Sequence, residues 1–190
     1  LVLPRQDAHF NKLDINDDND IEVRFLDDAY AVSNFVNKAK ATNYLEEIVY
    51  IVGSDQFNSE WTGLTTKGTP QLNILSYQDA FKVICEHEAA MLLALAKECD
   101  SLKVIFSPGN HDQYVGWHLI NWLEAYLKNT NIEFESSTLN TKYHKYGNTA
   151  IMLNHGDAIK PAALASQFPI GFKDKWSQCE NYIILTGDKH

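Results

Sequence analysis

The chain has 190 residues, 45% of them hydrophobic and 12% aromatic, which suits one folded domain and excludes a disordered one. Its formal net charge of −9 argues against the basic face that tracks a nucleic-acid backbone, although carboxylates that bind cations would account for part of the excess. No run of about eighteen apolar residues is present to span a membrane, and no basic-then-apolar leader opens the chain.

Leu1 to Leu3 reads as the tail of a buried strand, broken by Pro4. The acidic stretch from Asp14 to Asp20 is a loop, with Asn19 or Asp20 as N-cap of a helix that places Phe25, Ala29, Val32 and Val36 at helical spacing. Ile48 to Val52 is a short β-branched run, hence a buried strand, ending at Gly53. Residues 58 to 73 are polar and carry Gly63, Gly68 and Pro70, so they form a long loop. Tyr77 to about Lys97 is a helix, Val104 to Phe106 a strand, and Trp117 to Leu127 an amphipathic helix. Lys142 to Tyr146 and Thr149 to Leu153 flank a Gly147-Asn148 hairpin turn, and Tyr182 to Leu185 is a last strand. The pattern predicts an α/β chain with a mixed sheet, one domain over 1–190, whose ends at Leu1 and His190 look cut. Cys85, Cys99 and Cys179 lack C-x-x-C spacing and read as reduced thiols, so a cytoplasmic location is expected.

Chemistry concentrates where the strands end. In order, the exits read Asp7-Ala8-His9, Gly53-Ser54-Asp55, Gly109-Asn110-His111-Asp112, His155-Gly156-Asp157 and Gly187-Asp188-Lys189-His190. Groups at the carboxyl ends of sheet strands converge on one crevice. In an extended Asp7-x-His9 segment both side chains would point the same way and could bind one cation. Oxygen and nitrogen donors without thiolate suit a hard or borderline divalent ion.

This ordered set resembles the calcineurin-like metallophosphoesterase superfamily, whose motifs run D-x-H, G-D, G-N-H-D/E, H and G-H-x-H. The resemblance spans Asp7 to His190, and Gly109-Asn110-His111-Asp112 is matched in full. The stretch from Thr65 to Gln71 also resembles a segment of phage-encoded members, which would place the protein in a bacterium or a phage-infected host cell. The resemblance implies a β-sandwich of mixed sheets flanked by helices, with the metal site at the strand ends. It implies a first metal on Asp7, His9, Asp55 and His190, and a second on Asp55, Asn110, His155 and Asp188. His111 would act on the phosphoryl oxygen or leaving group, with Asp112 orienting its ring. The implied activity is hydrolysis of a phosphomonoester or phosphodiester by water activated between two divalent ions, Mn first, with Fe, Zn, Mg or Ni as alternatives. The implied partner is a phosphoester, a nucleotide or nucleic acid included.

Two positions depart from the family pattern. Asn11 stands where glycine is common, and Asp188 stands where the family has histidine. A carboxylate at 188 can still ligate, but it adds negative charge and favours harder ions. Asp188 leaves open a catalytically weakened binding domain, and a nuclease of the same superfamily is the alternative enzyme, against which the acidic balance counts. Elsewhere the readings are plainer. Asp14-x-Asn16-x-Asp18 looks like the start of a calcium loop, but Asn19 and Phe25 occupy positions that need glycine and glutamate, so a helix-capping loop is expected. His87, His118 and His144 read as core or surface histidines, and the tryptophans as packing residues, with Trp61 placed to touch a substrate.

Overall fold

The structure is a computed structural model and describes residues 1–16 and 19–188. Two sheets organise it. The first is wholly parallel, in the order β1-β2-β3-β4, from β1 (Val2–Leu3), β2 (Glu47–Gly53), β3 (Ser101–Ser107) and β4 (Glu133–Glu135). The second joins β5 (Thr141–Tyr146) antiparallel to β6 (Thr149–Asn154), and β6 parallel to β7 (Asn181–Thr186).

Alternation along the strands sets the layers. In β2, Ile48, Tyr50 and Val52 face the helices α1 (Ile21–Lys40), α2 (Tyr77–Leu95) and α3 (Gln113–Tyr126), while Val49 and Ile51 face the other sheet. There they meet Ile105 of β3 and Ile151 and Leu153 of β6. On the far side of β6, Ala150 and Met152 pack on Leu164 and Phe168 of α4 (Pro161–Gly171) and on Phe172, just before the short α5 (Lys173–Trp176). The molecule is therefore a helix–sheet–sheet–helix stack, a mixed α/β architecture as the strand and helix pattern predicts. The first sheet is all parallel rather than mixed.

Helix starts follow local chemistry. Asp20 caps α1 by accepting from the Glu22 N–H at 2.9 Å, and Ser76 caps α2 through the Asp79 N–H at 3.3 Å. The third helix starts at Gln113, earlier than its apolar spacing suggests. Glu60, from the long loop, accepts from the Tyr114 and Val115 N–H groups at 3.0 Å each and satisfies that end. Neither α4 nor β4 is expected from the sequence. The segment of α4 shows no clear apolar stripe and contains Pro169, and β4 is a three-residue strand at the sheet edge. Among the described residues no helix is long and apolar enough to cross a membrane.

Candidate metal centre

The loops leaving β1 and β2 travel together. Asp7 N–H donates to the Ser54 carbonyl at 2.8 Å, His9 N–H to Asp55 at 2.9 Å, and Phe10 N–H to Gln56 at 3.0 Å. These bonds carry the parallel pairing past the strand ends and hold the Asp7–His9 loop against the Ser54–Asp55 loop. The backbone there is unusual. Asp7, His9, Ser54, Asp55 and Asp188 all have left-handed φ, between 43° and 67°. Each such residue costs about 1–2 kcal/mol, and strain of this kind gathers at functional sites.

The left-handed turns take Asp7 and His9 out of the extended backbone that the alternation argument assumes. Asp7 groups with Asp55 and His155, whereas His9 groups with Asp55 and His111, and within each group the potential ligand atoms lie within 4.8 Å of one another. Asp55 belongs to both. Its Oδ1 accepts from the His111 N–H at 2.8 Å, and its Oδ2 lies 3.0 Å from His155 Nε2. The same His155 Nε2 lies 2.7 Å from Asn110 Oδ1, while Nδ1 lies 2.7 Å from Ser54 Oγ. Asp188 joins through its backbone, donating its N–H to Asp7 Oδ2 at 2.9 Å. Gly187 is required beside it, since a Cβ there would run into Asp7 Oδ2 and come within 3.2 Å of His155 Nδ1. His190, expected on the first metal, and Lys189 lie outside the described residues.

His111 and Asp112 divide their roles differently from the family expectation. His111 Nδ1 donates to the Asn58 carbonyl at 2.8 Å. A carbonyl only accepts, so Nδ1 carries the hydrogen and the lone pair of the neutral ring lies on Nε2. Its ring meets that of His9 edge-on, with centroids 4.7 Å apart. Asp112 does not orient the ring. Its carboxylate accepts from the backbone N–H groups of Asp55 and Phe57, both at 3.1 Å, and so holds the turn that presents Asp55.

The electrostatics fit a cation. Burial opposes ionisation of Asp55, yet the hydrogen bond and charge of His155 hold its carboxyl below the ordinary carboxylate range. Burial likewise opposes the charged form of His155, and the bond to Asp55 and its charge outweigh this, so the imidazole sits above its ordinary value. Asp112 is pushed up to about 8, by burial first and by the Asp55 charge second. His155 Nε2 faces two oxygens, Asp55 Oδ2 and Asn110 Oδ1. Whichever way the Ser54–Nδ1 bond runs, Nε2 must carry a proton there or share a cation with those oxygens. A divalent ion suits this donor set, with Ser54 fixing the ring as an outer partner of a ligating histidine does.

Ser54, the Asn58 carbonyl and Glu60 carry structural duties at the site that the motifs do not announce. Asn11 acts as a backbone mimic, accepting from the Leu75 N–H at 2.9 Å and donating to its carbonyl at 3.2 Å, which pins the loop after His9.

A third group, Asp28, His87 and Glu88, also converges within 4.8 Å. Arg5 already supplies its positive charge: Nη1 lies 2.8 and 2.9 Å from the Glu88 oxygens, Nε lies 3.0 Å from Asp28 Oδ1, and Nη2 pairs with Asp28. Tyr50 donates to Glu88 at 2.7 Å, and His87 bonds Asp28 at 2.8 Å while stacking on Phe25. This is a buried ionic knot under the Asp7 loop. Comparison of the chain with family models, curated proteins and solved structures finds no match.

Proposed function

We propose that this chain is a metal-dependent phosphoester hydrolase with a dinuclear centre at the strand ends, built on a metallophosphoesterase-type sandwich. One observation carries the reading. The buried carboxylate of Asp55 lies between Asp7 with His155 on one side and His9 on the other, where His111 stands beside His9. A carboxylate between two cation positions supplies the negative charge that offsets their mutual repulsion. The two-sheet stack and the order of the motifs support the same reading.

Asp7, His9, Asp55, Asn110, His155 and Asp188 are the residues that would hold the ions, with Mn as the first choice. Divalent cations held by these residues would supply the Lewis acidity that activates water and offsets the charge of phosphoryl oxygens. The chain supplies the rest. Asn110 contributes a neutral oxygen that adds no further negative charge. Asp112 fixes the Asp55 turn, and Ser54 fixes His155. His111, oriented by the Asn58 carbonyl, presents Nε2, which in the imidazolium form of the ring would give its proton to the leaving oxygen.

The test is turnover of p-nitrophenyl phosphate, bis-p-nitrophenyl phosphate and single-stranded DNA, each with Mn, Mg and Zn. Hydrolysis of at least one is expected. Asp55→Asn should lose metal and turnover together, while His111→Ala should retain metal and lose turnover. Bound metal without hydrolysis of any ester would contradict the proposal and favour a binding domain.

A further inference from the structure

The segment that carries Asp7 and His9 leaves a strand of two residues, ended by Pro4, and both residues take left-handed backbone. Side chains anchor it on either side. Arg5, two residues before Asp7, is 8% exposed, and Phe10, directly after His9, is 3% exposed. Both sit against α1 and α2. The Arg5 guanidinium bonds Asp28 of α1, Glu88 of α2 and Tyr50 of β2, so three elements fix it at once. The Phe10 ring meets Phe25 of α1 and His87 of α2 edge-on, with centroids 5.1 and 5.5 Å away, and its centroid lies 5.6 Å from the guanidinium carbon. Arg24 of α1 adds a bond to the Phe10 carbonyl at 3.0 Å.

Stability alone does not explain such a knot. A buried ion pair exchanged for apolar groups of similar volume is often no less stable, because the charges cost desolvation. What the guanidinium adds is direction, since its planar fork holds its donors at fixed angles. Direction matters beside a metal centre. The donors around Asp55 converge within 4.8 Å, and metal–ligand distances tolerate only about 0.2 Å. Two residues span at most about 7 Å, so a displaced Arg5 passes its movement to Asp7 with little slack. Asp55 and His155 have supports of their own in Asp112 and Ser54. The Asp7–His9 segment has the knot.

We propose that Arg5 is a positioning residue for the metal centre. Clamped between Asp28 and Glu88, and backed by Phe10 beyond His9, it sets where Asp7 and His9 stand and so sets the affinity for metal. The inference rests on the metal-binding part of the hydrolase reading.

The experiment separates position from stability. Arg5→Met/Glu88→Gln removes the cation together with its most buried carboxylate, while Asp28 keeps His87. Leu95→Ala is the control, emptying core space at the end of α2 away from the loops. In calorimetry the double variant is expected to bind Mn at least about tenfold more weakly than the wild-type protein, the scale of an outer partner of a ligand. Its Asp7, His9 and Phe10 amides, which bond the Ser54–Gln56 loop, should gain in hydrogen exchange at least about tenfold more than those of β2 and β3. Leu95→Ala should lower the urea midpoint, keep the Mn affinity and speed these amides alike. Arg5→Lys keeps the charge without the fork and should show the same signs to a smaller degree; it decides the question where the double variant does not fold. Wild-type Mn affinity in the Arg5 variants, or an equal loss in Leu95→Ala, would overturn the inference. Should the wild-type protein bind no Mn, the metal reading fails by itself. Exchange then decides the positioning: a gain confined to Asp7, His9 and Phe10 supports it, and a uniform gain overturns it.

Discussion

Gly109→Ala tests how tightly the centre is assembled. A Cβ at position 109 would lie 2.0 Å from Asp55 Oδ1, 2.4 Å from the Asp55 nitrogen and 2.6 Å from Asp112 Oδ1. Contacts of a real Cβ begin near 3.0 Å, so Asp55 Oδ1 must retreat by about 1 Å. Asp55 is 2% exposed, and Oδ1 holds the His111 N–H at 2.8 Å, so the retreat strains a packed site and breaks a charge-assisted bond. Overpacking and the lost bond together should cost about 3–5 kcal/mol of folding stability. A misplacement of about 1 Å at the shared carboxylate should also reduce turnover about a hundredfold. Gly63→Ala is the control. Its Cβ would meet nothing within 4 Å, leaving only the left-handed backbone at φ 76°, a cost of about 1–2 kcal/mol. Urea unfolding followed by circular dichroism gives the stabilities, and calorimetry with Mn gives the affinity. Equal stabilities for the two variants, with Mn affinity unchanged in Gly109→Ala, would refute the crowded arrangement around Asp55.

Ser54→Ala removes the partner of His155 Nδ1 and should weaken Mn binding about 10–100-fold while Ser54→Thr retains most of it, as measured by calorimetry. Arg5→Met leaves Glu88 and Asp28 without their cation and should cost about 3–5 kcal/mol in urea unfolding, with a smaller loss when Glu88→Gln accompanies it. Mn affinity should fall as pH drops through the His155 pKa, because the ion and a proton compete for Nε2. Since Asp55 raises that pKa, the loss should begin above the ordinary imidazole value of about 6.5. In Mn titrations from pH 8 to 5.5, a flat affinity would exclude His155 as a ligand.

The strands were legible because their chemistry is local. Ile48 to Val52 is β-branched, buried on both faces and stopped by Gly53, and Val104 to Phe106 is stopped by Pro108-Gly109. The convergence of Asp7, His9, Asp55, Asn110 and His155 followed from their positions after successive strands, since parallel strands end on one side. The local backbone did not follow. Alternation assumes extended backbone, and Asp7 at φ 61° and His9 at φ 43° leave that region. The start of α3 depends on Glu60, more than fifty residues upstream, which no helical periodicity encodes. The anchor of His111 is the backbone carbonyl of Asn58, a group every residue has. Among α4 residues, Leu164 and Phe168 do carry an i, i+4 apolar signal, but Pro169 and the surrounding alanines obscure it.

Metal stoichiometry and spin coupling test the shared role of Asp55 most directly. Saturated with Mn and freed of excess, the protein should hold two ions per chain, whose electron paramagnetic resonance shows exchange coupling, and Asp55→Asn should lose both. A single uncoupled ion, or two ions retained in Asp55→Asn, would contradict a carboxylate that serves two metals.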